Sequence, residues 1–514
     1  MIDELPGGWA AAPLPELFEI NPPKPSADAM AATAAVSFVP MPAVDADAGA
    51  ITAPEERAFR TVRKGYTAFR DGDVILAKIT PCFENGKAAV ARRLRNGLGF
   101  GSSEFHVLRS RGVVLPEYLF HFVRQRRFRQ EAADHMTGTA GQARVPVDYL
   151  REVVLPVPPI AEQRRIVENV EAVLARVKAA RERLARVPLI LKRFRQAALA
   201  AACSGRLTEE WRDAHPEVAL ALPARPHRTA AARRGRRGAN LSIEGELLLD
   251  GMPDLPVSWA YRRADEVVER GTVITYGIVL PGPEVSGGVP YVRQQDVLED
   301  GTICMDQLRH TTIQIAGRHD RSSLRAGDVL LCIIRNLRVG LVPQGLDGAN
   351  ITQGTVRMRP ADLIRPEYLA AYLASPHAQE WMKERYFGMD MPRINVEDAR
   401  AIPIAVPPLL EQDEVLRRIG ILLSLADAVH RRVEKGTTRA NMLAQAVLTK
   451  AFSGELVPTE AELARAEGRD YEPASALLER IRAGHAMSSP PRAAGRRKRD
   501  SAQGRRAGRR AAQR

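Results

Sequence analysis

The chain has 514 residues, a formal net charge of +14 and 45% apolar residues, so it can bury proper cores. Its length predicts roughly three domains at about 150 residues each, and no stretch has the ~18 consecutive apolar residues of a membrane span. The N-terminal segment lacks the basic start and apolar core of a signal peptide, which predicts a cytoplasmic protein. Four scattered cysteines without a Cys-x-x-Cys pair indicate neither a zinc site nor a disulfide framework.

Residues 1–155 are predicted to form a compact domain of mixed α/β or α+β class. Short β-branched runs, such as residues 74–79, alternate with loops bounded by Gly and Pro, which is typical of strands. A helix is expected to follow the Pro-Glu-Tyr-Leu motif at residues 116–119.

The loops of this first domain are polar in a way that suits base edges and phosphates. Arg and Lys fit guanine or phosphate, and Asn fits adenine. A solvated hairpin explains any single loop equally well. The candidate DNA-binding residues are Lys78, Thr80, Asn85, Lys87, Ser103, Glu104, Gln142 and Arg144.

Residues 156–206 have the apolar spacing of a long helix, alternating between three and four as a coiled-coil seam requires. Gly205 is expected to end the helix in the left-handed conformation, and Pro188 is expected to kink or break it. About 40 residues would span roughly 60 Å. The seam comprises Ile166, Val167, Val170, Val173, Leu174, Val177, Leu184, Leu191, Phe194 and Ala198.

Residues 207–250 are predicted to be a basic flexible linker. Within it, residues 223–238 carry six Arg and no acidic residue, without apolar periodicity. Together with the basic residues 487–514, this segment holds essentially all of the excess charge. The remaining chain is close to neutral, so net charge alone is weak support for nucleic-acid binding.

Residues 251–403 repeat the first domain. The motif Leu-Pro-x-x-Trp-Ala at residues 5–10 returns at 255–260, and Pro-Glu-Tyr-Leu returns at 366–369, both at an offset of 250. A fixed offset of this kind marks an internal duplication. The candidate residues at the same stations are Arg335, Asn336, Arg338, Thr352, Gln353, Arg393 and Asn395.

Residues 404–457 repeat the long helix at an offset of 249, with Gly454 at its end and a kink or break predicted at Gly436. Two copies of one seam predict two helices packed as an antiparallel coiled coil, although an ordinary buried helix in each domain stays possible. Residues 458–514 form a C-terminal extension with the basic tail. The second seam comprises Leu416, Ile419, Leu422, Leu423, Ala426, Val429, Val433, Ala440, Leu443, Val447 and Ala451.

Catalytic signatures are missing from the sequence. The Asn-Gly-Lys at residues 85–87 has Pro81 and Ala88 where a phosphate loop needs glycine and a hydroxyl. The Asn-Pro-Pro motif at residues 21–23 is followed by Lys24, whereas amino-methyltransferases place an aromatic ring there to stack on the flipped base. The ten histidines show no metal spacing. Catalysis by this chain alone, and any metal or cofactor site in it, is therefore not expected.

The duplicated order of motifs resembles the specificity subunit of type I restriction-modification systems. The resemblance rests on the run at residues 79–87, the segment at 104–109, the Pro-Pro-x-x-Glu-Gln helix starts and the Ala-x-Ser-Gly helix ends, over about residues 1–457. It implies two target-recognition domains that each read half of a split DNA site, and helical regions that dock methyltransferase subunits. S-adenosylmethionine, ATP and Mg²⁺ would then belong to partner methyltransferase and restriction subunits.

Two other classes of function stay open at this point. One is a single-chain DNA modification or restriction enzyme, and the other is a structural coiled-coil scaffold. Arg144 and Arg393 occupy equivalent stations and are expected to anchor phosphates, since only the phosphate is common to all DNA sequences. The structural alternative pairs them with Asp148 and Glu397, four residues further along.

Overall fold

The computed structural model describes residues 5–139, 141–220 and 247–488. It divides into two compact units. Unit 1 combines Met1–Arg181 with Thr438–Arg514, and unit 2 is Glu182–Thr437. Each unit therefore contains one predicted globular domain and a part of each predicted long helix.

The basic segment at residues 223–238 lies outside the described residues, and so does the tail from residue 489 onward. No helix within the described ranges is long and apolar enough to cross a membrane.

The chain before the first long helix forms sheets with short connecting helices. The strands are β1 Ala10–Pro13, β2 Phe18–Ile20, β3 Ala35–Val39, β4 Val44–Asp45, β5 Ala50–Ile51, β6 Glu55–Ala58, β7 Thr67–Arg70, β8 Val74–Ala77, β9 Ala88–Val90, β10 Leu98–Gly101, β11 Phe105–Ser110 and β12 Val154–Val157. The sheet orders are β6-β3-β10-β7, β2-β11-β8-β9 and β1-β12, with a small β4-β5 pair. Strand β10 runs parallel to β3, and the other pairs are antiparallel. The helices are α1 Leu14–Leu17, α2 Phe59–Val62, α3 Pro116–Val123, α4 Arg126–Asp134 and α5 Val147–Glu152.

The first long helix, α6 Ile160–Cys203, is followed by the short helix α7 Glu209–Ala214 and then by the second set of sheets. The strands are β13 Ala260–Arg263, β14 Thr275–Tyr276, β15 Val289–Val292, β16 Arg309–Thr311, β17 Val329–Cys332, β18 Val339–Leu341, β19 Asn350–Ile351, β20 Thr355–Met358 and β21 Pro403–Val406. The sheet orders are β14-β20-β17-β18, β16-β15-β19 and β13-β21. The helices are α8 Ile313–Arg318, α9 Pro366–Leu373, α10 Pro376–Lys383 and α11 Val396–Ala401.

The chain continues with three helices, α12 Leu409–Ser453, α13 Glu460–Glu467 and α14 Ala474–Ser488. α7 therefore lies at the start of the predicted linker, and α13 and α14 lie in the predicted C-terminal extension.

The central strands β8 and β17 are buried on both faces, which explains their uninterrupted apolar sequence. In β8, Val74 and Leu76 pack into the core beneath α3, whereas Ile75 and Ala77 pack into a separate core. In β17, alternate residues are divided between two cores in the same way. The division follows from the period of two in a strand.

The Gly-Asp-Val motif before each central strand supplies a buried carboxylate. Asp73 accepts two hydrogen bonds from Arg109, at 2.9 and 2.8 Å, and Asp328 accepts two from Arg359, both at 2.8 Å. Each pair ties the strand start to the neighbouring strand's end, and bidentate arginine contacts of this kind are among the stronger polar interactions in proteins. The contact raises the pKa of both guanidinium groups.

The Glu-Gln pair at the start of each long helix is fully buried and joins the helix to its globular domain. The Gln163 side chain accepts a hydrogen bond from the backbone of Leu115 at 2.8 Å and donates to two carbonyls, those of Val113 and Pro158. Gln412 makes the equivalent three bonds, beginning with the backbone of Arg365 at 2.8 Å. Three bonds per buried amide make the joint specific in geometry.

The glutamate of the same pair holds a repeated tryptophan. Trp9 donates to Glu162 at 2.8 Å, and Trp259 donates to Glu411 at 2.8 Å. In unit 1 the carboxylate also accepts from the backbone of Glu460 on α13. In unit 2 it accepts from Thr208 and Arg212, just before and within α7. Helices α7 and α13 therefore occupy equivalent positions, because each contributes hydrogen bonds to the glutamate of its unit. The duplication thus extends beyond the Ser-Gly helix ends.

The two long helices run antiparallel to each other within each unit. In unit 1, Val170 near the start of α6 shares a core with Val447 near the end of α12. In unit 2, Ala202 at the end of α6 shares a core with Ile419 near the start of α12. The predicted seam positions are buried or half-buried, except Leu443, which is 48% exposed. That assignment was wrong, because the first half-buried position after Ala440 is Ala444, four residues further on, and not Leu443.

The predicted helix ends are confirmed, whereas neither long helix is broken into two. Gly205 and Gly454 have φ values of 79° and 80°, in the left-handed region. Both long helices continue through Pro188 and Gly436. Pro188 is exposed, so the helix loses one internal hydrogen bond there without losing packing. A Cβ on Gly436 would lie 3.3 Å from Leu184, so this glycine lets the helices approach closely.

Candidate nucleic-acid interface

Three segments of unit 1 meet where β8 ends and β11 begins. The backbone of Lys78 donates to the carbonyl of Glu104 at 2.9 Å, and Thr80 donates to Ala143 at 3.0 Å. Ile79 and Arg144 form an antiparallel bridge. Candidates that lie far apart in sequence are thus brought to one junction.

Arg144 is held by Glu104 at this junction. It donates from Nε and Nη2 to the two carboxylate oxygens at 2.8 and 3.0 Å, and from Nη1 to the Gln142 carbonyl at 3.0 Å. The hydrogen bond lowers the pKa of Glu104 and raises the pKa of Arg144. The alternative pairing with Asp148 was wrong, because Asp148 accepts from Arg151 instead.

Among the other candidates of unit 1, some side chains form hydrogen bonds within the protein and others are exposed to solvent. Thr80 donates to Glu84 at 2.8 Å, and the Lys87 ammonium donates to the Met41 carbonyl at 3.0 Å. Lys78 is half-buried beside this contact network. Three candidates are exposed to solvent: Asn85, Ser103 and Gln142.

Unit 2 builds the same junction from its own segments. Ile334 and Arg393 form an antiparallel bridge, as Ile79 and Arg144 do in unit 1. The backbone of Arg335 donates to Pro392 at 2.6 Å, which places Arg335 beside the loop that ends at Arg393. In both units the structure thus brings the candidate residues after the central strand next to the loop that ends in the aligned arginine.

Arg393 differs from Arg144 in its surroundings. Its guanidinium carbon lies 4.9 Å from the ring centroid of Phe387, a cation–π distance. The alternative pairing with Glu397 was wrong, because Glu397 accepts from Arg400. No ion pair to Arg393 occurs among the residues of 247–488. Arg393 is exposed and available to an anionic ligand.

Several candidates of unit 2 also have structural bonds. Arg338 donates to the Val297 carbonyl at 3.1 Å, and the Asn395 side chain caps α11 by accepting from Asp398 at 2.8 Å. The Oδ1 atom of Asn336 is buried and has no hydrogen-bond partner within the described part of the chain. Arg335 and Gln353 are exposed, and Thr352 is half-buried.

The sequence did not single out Gln294 and did not predict the structural role of Asn21. Gln294 donates from Nε2 to the carbonyl of Ile334 in unit 2. In unit 1, Asn21 contacts buried His106 at 3.1 Å and accepts from the backbone of Val107. Asn21, considered above only as part of an Asn-Pro-Pro motif, thus has a local structural role. Burial lowers the pKa of His106, which keeps the ring neutral at neutral pH.

No group of three or more His, Cys, Asp or Glu in the described ranges is placed to hold a metal ion. The buried thiols have raised pKa values, about 12 for both Cys203 and Cys332, because burial disfavours the thiolate. They are therefore poor nucleophiles near neutral pH.

No family model matches the chain. Among curated relatives, the type I restriction enzyme EcoBI specificity subunit of Escherichia coli is 32% identical over 351 residues, covering 67% of this chain and 67% of the relative. The EcoEI specificity subunit of Escherichia coli is 25% identical over 510 residues, covering 88% and 83%.

Solved structures share the fold. The HsdS subunit from Thermoanaerobacter tengcongensis has a TM-score of 0.55 and 24% identity, covering 88% of this chain and 98% of that one. A chain from a study of complex assembly and conformational transition in a type I restriction-modification system has a TM-score of 0.63 and 24% identity, covering 88% and 100%. With the identity and coverage of the EcoBI relative, the chain belongs to the family of type I restriction enzyme specificity subunits.

Proposed function

We propose that this chain is the DNA specificity subunit of a type I restriction-modification complex and that each unit reads one half of a bipartite target. The observation that carries the proposal is the repeated junction. Both units bring the end of a central strand next to a loop that ends in an aligned arginine, at Ile79–Arg144 and at Ile334–Arg393.

The side chains around the two junctions differ, which is what two different half-sites require. Unit 1 presents Asn85, Ser103 and Gln142 to solvent, whereas unit 2 presents Arg335 and Gln353. Amide and guanidinium groups discriminate base pairs in the major groove by bidentate hydrogen bonds. The aligned arginines suit the phosphates that flank either sequence.

The long helices are proposed to dock methyltransferase subunits and, through them, restriction subunits. Their seam is occupied by the partner helix, so a second contact must use the outer face. That face carries large apolar side chains that are more than half exposed, and exposed apolar groups on a helix favour a protein partner. They are Leu189, Ile190, Leu410, Ile421, Leu425 and Met442.

By this proposal the chain is not catalytic by itself. It would contribute sequence recognition to a complex that cleaves DNA and methylates adenine, with S-adenosylmethionine, ATP and Mg²⁺ bound by the other subunits in the cytoplasm.

Sequencing of methylated sites in the host genome, before and after deletion of this chain, tests the proposal. We expect one split motif to lose its methylation completely and to regain it when the chain is supplied in trans. Retention of every methylated motif after deletion would contradict the assignment.

A further inference from the structure

The loop that ends at Arg393 carries an exposed apolar tip. Met389 is 101% exposed, and Phe387 and Met391 on either side are 38% and 43% exposed. Exposed clusters of large apolar side chains are uncommon on soluble proteins and mark surfaces that contact a ligand or partner.

The loop is closed at its base, so its tip has a defined position. Phe387 and Arg393 exchange two backbone hydrogen bonds, at 2.9 and 3.0 Å, and the Pro392 carbonyl accepts from Arg335. Gly388 has a φ of +90°, and a Cβ there would lie 2.8 Å from the Met391 carbonyl. Glycine therefore permits a tight turn that presents the next residue, Met389.

The charges around the tip select the type of contact with DNA. Arg335 and Arg393 are exposed at the base of the loop, where they can neutralise phosphates. Asp390 is exposed beside Met389, and its carboxylate disfavours contact of the tip itself with phosphate. The apolar tip of the loop is thus suited to contact with nucleobases. The two arginines at its closed end are suited to contact with the DNA phosphates.

We infer that Met389 inserts between adjacent bases of the half-site read by unit 2 and partly unstacks them. Apolar wedges of this kind, methionine included, bend the duplex and generate preference for base steps that unstack easily. A thioether is polarisable and adapts to an aromatic surface, which suits contact with a base. This inference rests on the proposed function, because it requires sequence-specific binding of duplex DNA.

The corresponding loop of unit 1 lacks such a tip. Thr137 and Arg144 close it by the same exchange of backbone bonds, at 3.0 and 2.8 Å. Between them the sequence has small and polar residues, including Thr139 and Gln142, and no large apolar side chain. Unstacking is therefore expected in one half-site only.

The test uses the full chain, purified with its co-expressed methyltransferase subunits, and duplexes that carry the methylated motif with 2-aminopurine at successive positions. The methyltransferase subunits flip the adenines that they methylate, so 2-aminopurine is placed away from those adenines and their neighbours. At these positions wild type should raise the fluorescence at one position of the unit 2 half-site and at none in the other half. Met389→Ala should abolish that rise and weaken binding roughly tenfold, since a wedge contributes on the order of one base-stacking contact. Met389→Leu should retain both.

Val257→Ala is the matched control, because Val257 is 106% exposed in the turn beside the end of α6 and should change neither readout. Wild type that binds the motif without any fluorescence rise overturns the wedge, as does Met389→Ala with an unchanged rise. Loss of preference for one thymine without unstacking would instead identify a methyl contact. Failure of wild type to prefer the motif over unrelated duplex contradicts the proposed function itself.

Discussion

In unit 1 the loop before the long helix is small and polar and ends at an arginine held by Glu104. In unit 2 the aligned loop carries two methionines and ends at Arg393, which contacts Phe387 instead of a carboxylate. The backbone framework beneath both loops is the same bridge to the end of a central strand. The two copies have thus kept the same backbone framework, and they differ in the side chains that the loops expose.

The buried joints between domain and helix show the opposite behaviour. Gln163 and Gln412 make the same three hydrogen bonds, and Glu162 and Glu411 accept from equivalent tryptophans. A buried amide that satisfies three backbone groups tolerates little change, because each unsatisfied group is costly. Surface loops have no such constraint, so the two units can read different sequences from one scaffold.

The largest expected effect concerns the outer face of the helices, where the copies also differ. α12 exposes Ile421 and Leu425, whereas the aligned positions of α6 are Ala172 and Arg176. The double change Ile421→Asp and Leu425→Asp should abolish co-purification of a methyltransferase subunit, since two charges cannot be buried unpaired in an interface.

Ile313→Asp is the control for this change, because Ile313 is 72% exposed and belongs to α8 rather than to either long helix. Aspartate at the seam residues Val170 and Ile419 is less informative, since both are buried and their replacement disturbs the packing of the helices. Unchanged co-purification of the Ile421 and Leu425 variant would place the docking surface elsewhere.

A second pair of changes tests whether the joints are equivalent. Gln163→Ala and Gln412→Ala should each lower the free energy of unfolding by about 2–4 kcal/mol, because three buried backbone groups lose a partner. Urea denaturation measures the loss, and hydrogen exchange should localise it to unit 1 and unit 2 respectively. Gln142→Ala, at an exposed glutamine, should leave stability unchanged. A cost at only one joint would break the equivalence.

The aligned arginines should differ in their contribution to DNA binding. Arg393→Ala should weaken binding to all duplexes alike and reduce the slope of log affinity against log salt by about one, as loss of one phosphate contact does. Arg144→Ala should change the slope less, because its guanidinium is already paired with Glu104. A changed base preference with an unchanged slope would identify direct readout by Arg393.

The smallest effect on DNA binding is expected from Glu104→Gln. This change should leave Arg144 without a carboxylate partner, as Arg393 is in unit 2. Loss of the carboxylate frees Arg144 for phosphate, so the salt slope should steepen by less than about one. The folded-state pKa of Glu104 is lowered. Its stabilising contribution is therefore complete above the unfolded value of about 4.3 and is lost as pH falls through the lower folded value. Binding between pH 6 and 8 should show no titration from this pair, and such a titration would contradict the assignment.

The family, the duplication and the helical seam could be predicted from the sequence because their signals are local or periodic. The positions around Val170 and Ile419 recur at helical spacing, and Gly205 has a conformational reason to end its helix. The break at Pro188 was wrongly predicted, since Leu184 and Leu191 on either side keep contact with the seam.

The contacts that organise the candidate interface could not be predicted. Glu104 and Arg144 lie 40 residues apart, and Gln163 bonds to backbone 48 and 50 residues away. No periodicity links such positions, because tertiary folding alone brings them together. The sequence therefore offered Asp148 as the ion-pair partner of Arg144, and only the structure identifies Glu104.

The division of labour between the two units is tested most directly by exchanging residues 1–155 for those of another specificity subunit and sequencing the methylated motif. Trp9 must be retained in the exchange, so that the bond to Glu162 survives. We expect one half of the split motif to change and the other half, with its distance, to stay as it was. A motif altered in both halves, or in neither, would contradict the account.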